Sequence, residues 1–379
     1  MRLVILGGGG FRVPLIHRAL LGDPLIDSLV LHDLDAGRLA AIARVLAARP
    51  GGPPVTATTD LDTALRGADV VFSAIRVHGL AGRVLDERIA IGEGVLGQET
   101  VGAGGISYGL RTVPVVTELA RRIAELAPGA WVVNFTNPAG LVTEAMSAHL
   151  GGRVIGICDS PAGLVRGLAD PDYAGLNHLG WLRAGGEVVA NEYVHYYEEP
   201  FAAPDGPTRG EFLREQQAAF YRRLADPHAD PLVTWDAVRA ERDATYFGAV
   251  PGAPAGGYED IALALMRALL GQGPARLILD VRNAGTLAHL PDDAVVEVPC
   301  DVDPTGAHPR PVSPLSLEQA ALTGAVKLSE RAVLEAAATG SAEAALRAFA
   351  QHPLVPSDAV AGRLLAAYRH AFPELGYLH

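Results

Sequence analysis

Two side chains twenty residues apart could do chemistry together: Cys158, in the string GICDSP (156–161), and His178, in GLNHLGW (175–181). A thiolate and an imidazole suit a borderline divalent cation, and a two-residue site leaves coordination positions open for substrate oxygens and water. Cys158 closes the apolar run Arg153–Cys158, at the strand end where α/β sheets bind ligands. Taken singly, Cys158 is equally well read as a buried core thiol, and His178 as a polar surface residue. Asp159 follows the cysteine, and Tyr258 sits in AGGYED ahead of a helical pattern. Free phenol titrates at about 10, so a tyrosine acting as a base needs a metal or cation beside it.

A second signal lies at the start. Gly7-Gly8-Gly9-Gly10 follows an apolar run directly and opens an amphipathic stretch. Glycines there let a backbone approach a pyrophosphate, whose charge meets the helix N-terminus. Asp33 ends the second apolar run, 23 residues after Gly10, where a ribose 2′-hydroxyl needs a carboxylate, and an acid there favours NAD over NADP. The spacing departs from GxGxxG: counting from Gly7 places Arg12 at the third glycine, and counting from Gly8 places Val13 there. The expected cofactor contacts are Gly7, Gly8, Gly9, Gly10, Phe11, Arg12 and Asp33, with Ser73 and Arg76 at the end of the fourth strand.

These residues need a sheet to hold them. Short apolar runs at Met1–Leu6, Asp27–Asp33, Pro54–Thr58, Ala68–Ile75, Trp131–Asn134 and Arg153–Cys158 alternate with helical spacing at Ala36–Ala48, Leu61–Arg66 and Thr112–Leu126. That alternation predicts an α/β fold, a Rossmann-type parallel sheet covered on both faces. The second half is mixed: a helix or helix pair at Glu211–Ala240, a helix at Ile261–Leu270, strands at Arg276–Asn283 and Ala294–Val302, then mostly helix from Ser316 to His370. The expected division is an NAD-binding domain over 1–170 and a mixed α+β domain for substrate, metal and oligomerisation over 171–379.

Composition closes off other classes. The 379 residues are 49% hydrophobic and 20% charged, which excludes wholesale disorder. A formal net charge of −12 argues against a general nucleic-acid or anionic-membrane binder. Two cysteines form no disulfide framework, the N-terminal apolar run is only LVIL, and the longest uncharged stretch, Leu126 to Thr143, contains Pro128 and Pro138. The expectation is a soluble cytoplasmic protein.

Four strings in this order, GQETVGAGGISYGLRTVPV (97–115), NFTNPAG (134–140), GICDSP and GLNHLGW, resemble glycoside hydrolase family 4. The likeness continues through RNAGTLAHLPDDAVVEVPC (282–300) to HPLV (352–355), and is greatest to the 6-phospho-β-glucosidases. The resemblance implies a lactate/malate-dehydrogenase-like fold, NAD, and a divalent metal, usually manganese, at Cys158 and His178. It also implies an exception to two-carboxylate glycosidase chemistry: hydride removal from C3, loss of the acidified C2 proton, departure of the C1 aglycone, water addition and hydride return. It makes Tyr258 the base, with Tyr246 in RDATYFG the second candidate because the register slips by one. It makes Asp159 an acid catalyst, as in the phospho-α-glucosidases, where many β-specific members have Asn. A carboxylate orienting the metal site is the other reading of Asp159. Asn137 matches the family's sugar contact, and Arg83, Arg282 and Arg76 are candidates for a 6-phosphate, since Arg offers a planar fork of donors. Gln98 and Glu99 would shape the site.

The implied substrate is a phosphorylated disaccharide or an aryl glucoside 6-phosphate, and the implied assembly a homodimer or homotetramer. One departure stands out: only seven residues separate GWLR (180–183) from NEY (191–193), where the resembling proteins carry a longer insert. A 6-phospho-α-glucosidase, a hydroxy-acid dehydrogenase and a non-catalytic NAD-binding protein are the alternatives.

Overall fold

The computed structural model describes residues 1–165, 167–168, 170–192, 206–245 and 257–379. The first half builds β1 (Arg2–Leu6), α1 (Val13–Ala19), β2 (Ser28–His32), α2 (Ala36–Ala47), β3 (Val55–Thr58), α3 (Leu61–Leu65), β4 (Val70–Ser73), α4 (Gly79–Gly92), α5 (Gly102–Leu126), β5 (Trp131–Asn134), α6 (Ala139–Leu150) and β6 (Val154–Gly156). These six strands are parallel in the order β3-β2-β1-β4-β5-β6. That is the doubly wound dinucleotide-binding order expected from the alternating pattern, and its ligand crevice lies beyond the carboxyl ends of β1 and β4, where the order reverses. Val70, Val71 and Phe72 of β4 are at most 2% exposed, as a strand covered on both faces must be.

The chain continues through α7 (Ser160–Leu164), β7 (Asp172–Leu176), β8 (Leu179–Ala184), β9 (Glu187–Asn191), α8 (Arg209–Ala225), α9 (Pro231–Ala244), α10 (Tyr258–Leu269), β10 (Ala275–Arg282), β11 (Val295–Asp303), β12 (Gly306–Pro309), α11 (Leu317–Thr339), α12 (Ala342–Gln351) and α13 (Asp358–Ala371). It extends the same sheet: β10 pairs antiparallel with β6 at Asp280 and Gly156, and β11, β7, β8 and β9 follow. Both large hydrophobic cores draw on residues from both halves of the chain. Among the described residues no helix is long and apolar enough to cross a membrane.

Three departures from the sequence pattern matter for the site. The segment after β4, to which the pattern assigns no element, is the helix α4. Helix α5 starts at Gly102, ten residues before its amphipathic pattern begins. Its glycines are there for close approach: a Cβ on Gly104 would lie 2.0 Å from the Gln98 carbonyl oxygen. The third is the β7–β8–β9 meander, which carries His178 in its first turn.

Helices α8 and α9 form the expected pair and return to the first half. Tyr221 donates its hydroxyl to the Gly9 carbonyl at 2.5 Å, and the Trp235 indole N–H donates to the Phe11 carbonyl at 2.9 Å. Phe11 packs edge-on to Phe220 at 5.2 Å. The glycine-rich turn is thus held from above by side chains of the second half.

Candidate functional site

The turn after β1 is shaped for a dinucleotide. Gly7 takes φ +85°, and a Cβ there would lie 2.5 Å from the Ala74 carbonyl oxygen, so only glycine lets β1 and β4 close up at this level. The Gly9 N–H donates to Asp33 Oδ2 at 2.9 Å, which ties the end of β2 to the turn. Gly7, Gly10, Phe11, Arg12 and Asp33 line one large cleft, and the same cleft reaches Arg76, Arg83, Asn137, Cys158, Asp159, His178 and Tyr258. Gly8 and Gly9 do not line it: the Gly8 N–H donates to the His32 carbonyl at 2.8 Å, and the Gly9 carbonyl accepts from Tyr221.

The thiol–imidazole pair is formed. Cys158 Sγ lies 3.4 Å from His178 Nε2, and both residues are 5% exposed. His178 sits in the two-residue β7–β8 turn with φ +62°, a left-handed conformation uncommon outside glycine and enriched at functional sites. A short relay fixes its tautomer. Gln98 Oε1 accepts from the Thr100 hydroxyl at 3.0 Å and from the Val101 N–H at 3.0 Å. The Thr100 proton is committed there, so Thr100 Oγ1, 3.1 Å from His178 Nδ1, accepts the ring proton. Nε2 then turns its lone pair toward Cys158.

This donor set fits a borderline divalent cation: a soft sulfur, a neutral imidazole with its lone pair presented, and a partner on the far ring nitrogen. Among the described residues no group of three His, Cys, Asp or Glu side chains forms a cation site, so the open positions are not filled by a third such ligand. Burial, with Glu297, Asp159 and Glu192 nearby, pushes the Cys158 thiol well above its ordinary range. Cation binding at this pair must therefore expel a proton.

Gln98 and Glu99 shape the site as expected. Arg76 and Arg83 converge on Glu99, Arg83 at 2.5 Å, and Arg83 Nε also donates to Glu87 at 2.8 Å. Burial alone would raise the Glu99 carboxyl, but Arg76 and Arg83 outweigh it and hold it below its usual range. Arg76 also lies 4.7 Å from the Tyr108 ring centre.

Three expectations are corrected. Ser73 is fully buried, its hydroxyl 3.0 Å from Thr136 Oγ1 and absent from the cleft, because the last residue of β4 turns its side chain toward the loop after β5. Arg282 is exposed at the end of β10, where its charge acts on Asp293, and it does not line the cleft. Tyr258 lines the cleft but donates its hydroxyl to the Arg12 carbonyl at 2.8 Å and stacks on Phe135 at 4.4 Å. Burial drives its phenol upward, only partly offset by Arg12. Its hydroxyl is thus spent on the main chain, the packing arrangement rather than that of a base facing substrate. Tyr246 lies outside the described residues.

Asp159 lies 3.8 Å from the Arg12 guanidinium, at the mouth between the glycine turn and the thiol. Sequence reasoning missed Arg242, on α9. Its guanidinium stands 3.9 Å from the Phe11 ring centre, and burial together with Arg12 and Arg209 pushes it down to about 9. Nothing in the sequence marks it, because only tertiary folding brings α9 to the cleft. Thr100 was legible as part of the GQET string, though not as the partner of His178.

A doubly wound sheet with a glycine turn at β1, a carboxylate at β2 and a thiol–imidazole pair in the same cleft defines a dinucleotide-type fold whose cleft carries donors of the kind that suit a cation. The chain belongs to the family 4 glycosyl hydrolases: the family pattern matches residues 2–171, and the pattern of its C-terminal domain matches 185–355. A probable 6-phospho-beta-glucosidase of Bacillus subtilis is 31% identical, over 96% of this chain and 95% of its own. The 6-phospho-beta glucosidase of Thermotoga maritima, solved with manganese, NAD+ and glucose-6-phosphate, superposes with a TM-score of 0.82 at 25% identity, over 98% of both chains. A 6-phospho-alpha-glucosidase from gut microorganisms, solved with NAD and glucose-6-phosphate, gives 0.84 at 26% identity, over 98% of this chain and 97% of that one.

Proposed function

We propose that this enzyme hydrolyses 6-phospho-β-glucosides with NAD and a divalent cation, manganese being the one found in a similar structure. The observation that carries the reading is the single cleft in which the glycine turn and the Cys158–His178 pair face one substrate space. NAD, when bound, supplies reversible hydride acceptance, and the cation supplies Lewis-acid stabilisation of a sugar oxygen. The chain's own work is positioning. The turn from Gly7 to Arg12 receives the pyrophosphate, Asp33 the adenosine ribose, and Cys158 and His178 hold the cation. Asn137, which lines the same cleft, is the candidate contact for the sugar.

For the 6-phosphate we favour Arg242, with Arg12 and Arg83 in reach. Its lowered proton affinity reports burial among like charges, which a dianion relieves. Asp159, held by Arg12 at the cleft mouth, is the candidate acid for the departing aglycone. We also propose a cytoplasmic homodimer or homotetramer. The two buried free cysteines suit a reducing compartment, and light scattering reads the assembly.

The relative at 31% identity supports the β-anomer over the α-anomer. The test is cleavage of p-nitrophenyl β-glucoside 6-phosphate with NAD and manganese under reducing conditions, beside the α-anomer and the unphosphorylated β-glucoside. Release of nitrophenol from the phosphorylated β-substrate alone, abolished by EDTA, is the expected result. Cleavage of the α-anomer alone would reverse the anomeric assignment. Net NADH formation on 2-hydroxy acids without glycoside cleavage would replace the reading with a dehydrogenase.

A further inference from the structure

Behind the thiol–imidazole pair lies a cluster of buried carboxyl groups that the proposed chemistry does not use. Glu192 directly follows β9, is 2% exposed, and lines the cleft that holds Cys158, His178 and Asn137. Its backbone N–H donates to the Gly180 carbonyl at 3.0 Å, which pins the main chain to β8. Its Oε2 accepts the Tyr173 hydroxyl at 2.5 Å. Tyr173 also lies 2.7 Å from Glu297 Oε2, and Glu297 Oε1 accepts from the Asn177 amide at 3.3 Å. One phenolic proton cannot serve two carboxylates, so Glu192 and Glu297 share a further proton through Tyr173.

Both Glu297 oxygens are occupied. Glu192 differs: its Oε1 is buried and has no hydrogen-bond partner among the described residues. An unpaired buried acceptor costs about 1–3 kcal/mol, and a native protein retains that cost where a ligand makes up the bond. The cation proposed above is already assigned to Cys158 and His178, and Glu192 completes no group of three His, Cys, Asp or Glu side chains with them among the described residues. The remaining partner of suitable chemistry in a sugar cleft is a hydroxyl donor.

We propose that Glu192 Oε1 accepts a hydrogen bond from a hydroxyl of the bound hexose phosphate, with Tyr173 as the positioning residue that holds the carboxyl in place. The inference rests on the glycosidase reading above. It adds a sugar contact in the NEY string itself, directly after the short segment 184–190 where this chain lacks the longer insert.

The test is calorimetric titration of glucose 6-phosphate into NAD- and manganese-loaded protein, without turnover. Wild type must bind; if it does not, the proposed function fails and this inference falls with it. If wild type binds, Glu192→Ala should weaken glucose 6-phosphate ten- to hundredfold. Near-isosteric Glu192→Gln, which keeps one acceptor, should weaken it by a smaller factor of at least three, and carries the test if the alanine variant does not fold. Tyr173→Phe should fall between Gln and wild type. NAD and manganese affinities, measured before sugar is added, should stay within threefold of wild type in all three. Unchanged sugar binding in Glu192→Ala and Glu192→Gln overturns the proposal. So does a loss of manganese affinity as large as the loss of sugar affinity, which would make Glu192 part of the cation site.

Discussion

Replacing Thr100 by valine removes one oxygen from the relay behind His178 and nothing from the cation site itself. The relay runs from His178 Nδ1–H to Thr100 Oγ1 at 3.1 Å, and from the Thr100 hydroxyl to Gln98 Oε1 at 3.0 Å. In the valine variant the buried Nδ1–H has no hydroxyl to receive it, and the ring gains freedom to place its proton on Nε2 instead. That tautomer points a proton at Cys158, so cation binding must first reverse it. Loss of such an outer partner lowers metal affinity by roughly ten- to hundredfold, about 1.4–2.7 kcal/mol. Thr100→Ser keeps the oxygen and should restore binding to within a fewfold of wild type. The assay is titration of manganese into reduced, NAD-loaded protein, followed by the loss of the free Mn2+ electron paramagnetic resonance signal. Cys158→Ser and His178→Ala serve as the variants that remove ligands. Valine binding manganese within twofold of wild type, while the ligand variants lose it, would refute the relay as the device that sets the tautomer.

Three further outcomes follow from the geometry. Gly7→Ala places a Cβ 2.5 Å from the Ala74 carbonyl oxygen at φ +85°, with strain of about 1–3 kcal/mol, so NAD affinity read by fluorescence titration should fall at least tenfold. Arg242→Met should raise KM for the phosphorylated substrate roughly ten- to hundredfold, from loss of a charged hydrogen bond of about 1.5–3 kcal/mol, with little change in kcat; an equal fall in kcat with KM unchanged would remove Arg242 from the phosphate. His352 is buried, and burial pushes its imidazole down to about 4. The folded state keeps it neutral while the unfolded chain takes up a proton below about 6.5, so stability is lost as pH falls from about 6.5 to 4, by about 3 kcal/mol in all. The denaturant midpoint of wild type should fall relative to that of His352→Asn as pH drops through that window, because the buried carboxyls raised by burial, Asp86 to about 6 and Glu297 to about 7, titrate alike in both.

Much of this architecture was legible before folding because continuous apolar runs leave few choices. β1, β2, β4 and β5 each bury nearly every side chain, and such strands must lie inside a parallel sheet. The helix pair at 209–244, helix α10 and strands β10 and β11 also follow their patterns. What escaped has local causes. Gly102 to Gly105 look like helix breakers, yet they open α5 because the loop from Gln98 to Thr100 crosses directly over them. The β7–β9 meander lacks a clean alternation: β7 and β8 are buried at nearly every position, while β9 is largely exposed.

The site divides along the same line. Residues whose placement rests on backbone position were readable from order and spacing: Gly7, Gly10, Asp33, Cys158 and His178 all line the one cleft. Residues whose role rests on where a side chain is spent were not. Ser73 ends a strand at the cleft, as expected, but its hydroxyl is used by Thr136. Tyr258 begins a helix at the cleft, but its hydroxyl is used by Arg12. The register of the antiparallel strands explains how two distant strings become one site. β10 meets β6 at Asp280 and Gly156, two residues before Cys158, and β11 meets β7 at Glu297 and Gly175, three residues before His178. β10 and β11 are themselves paired, with Asp280 opposite Glu297. That single cross-strand row therefore sets the separation of Cys158 and His178, and a shift of one residue in either pairing would turn the side chains on that strand to the other face. The thiol–imidazole pair is a property of sheet register as much as of the two residues that form it.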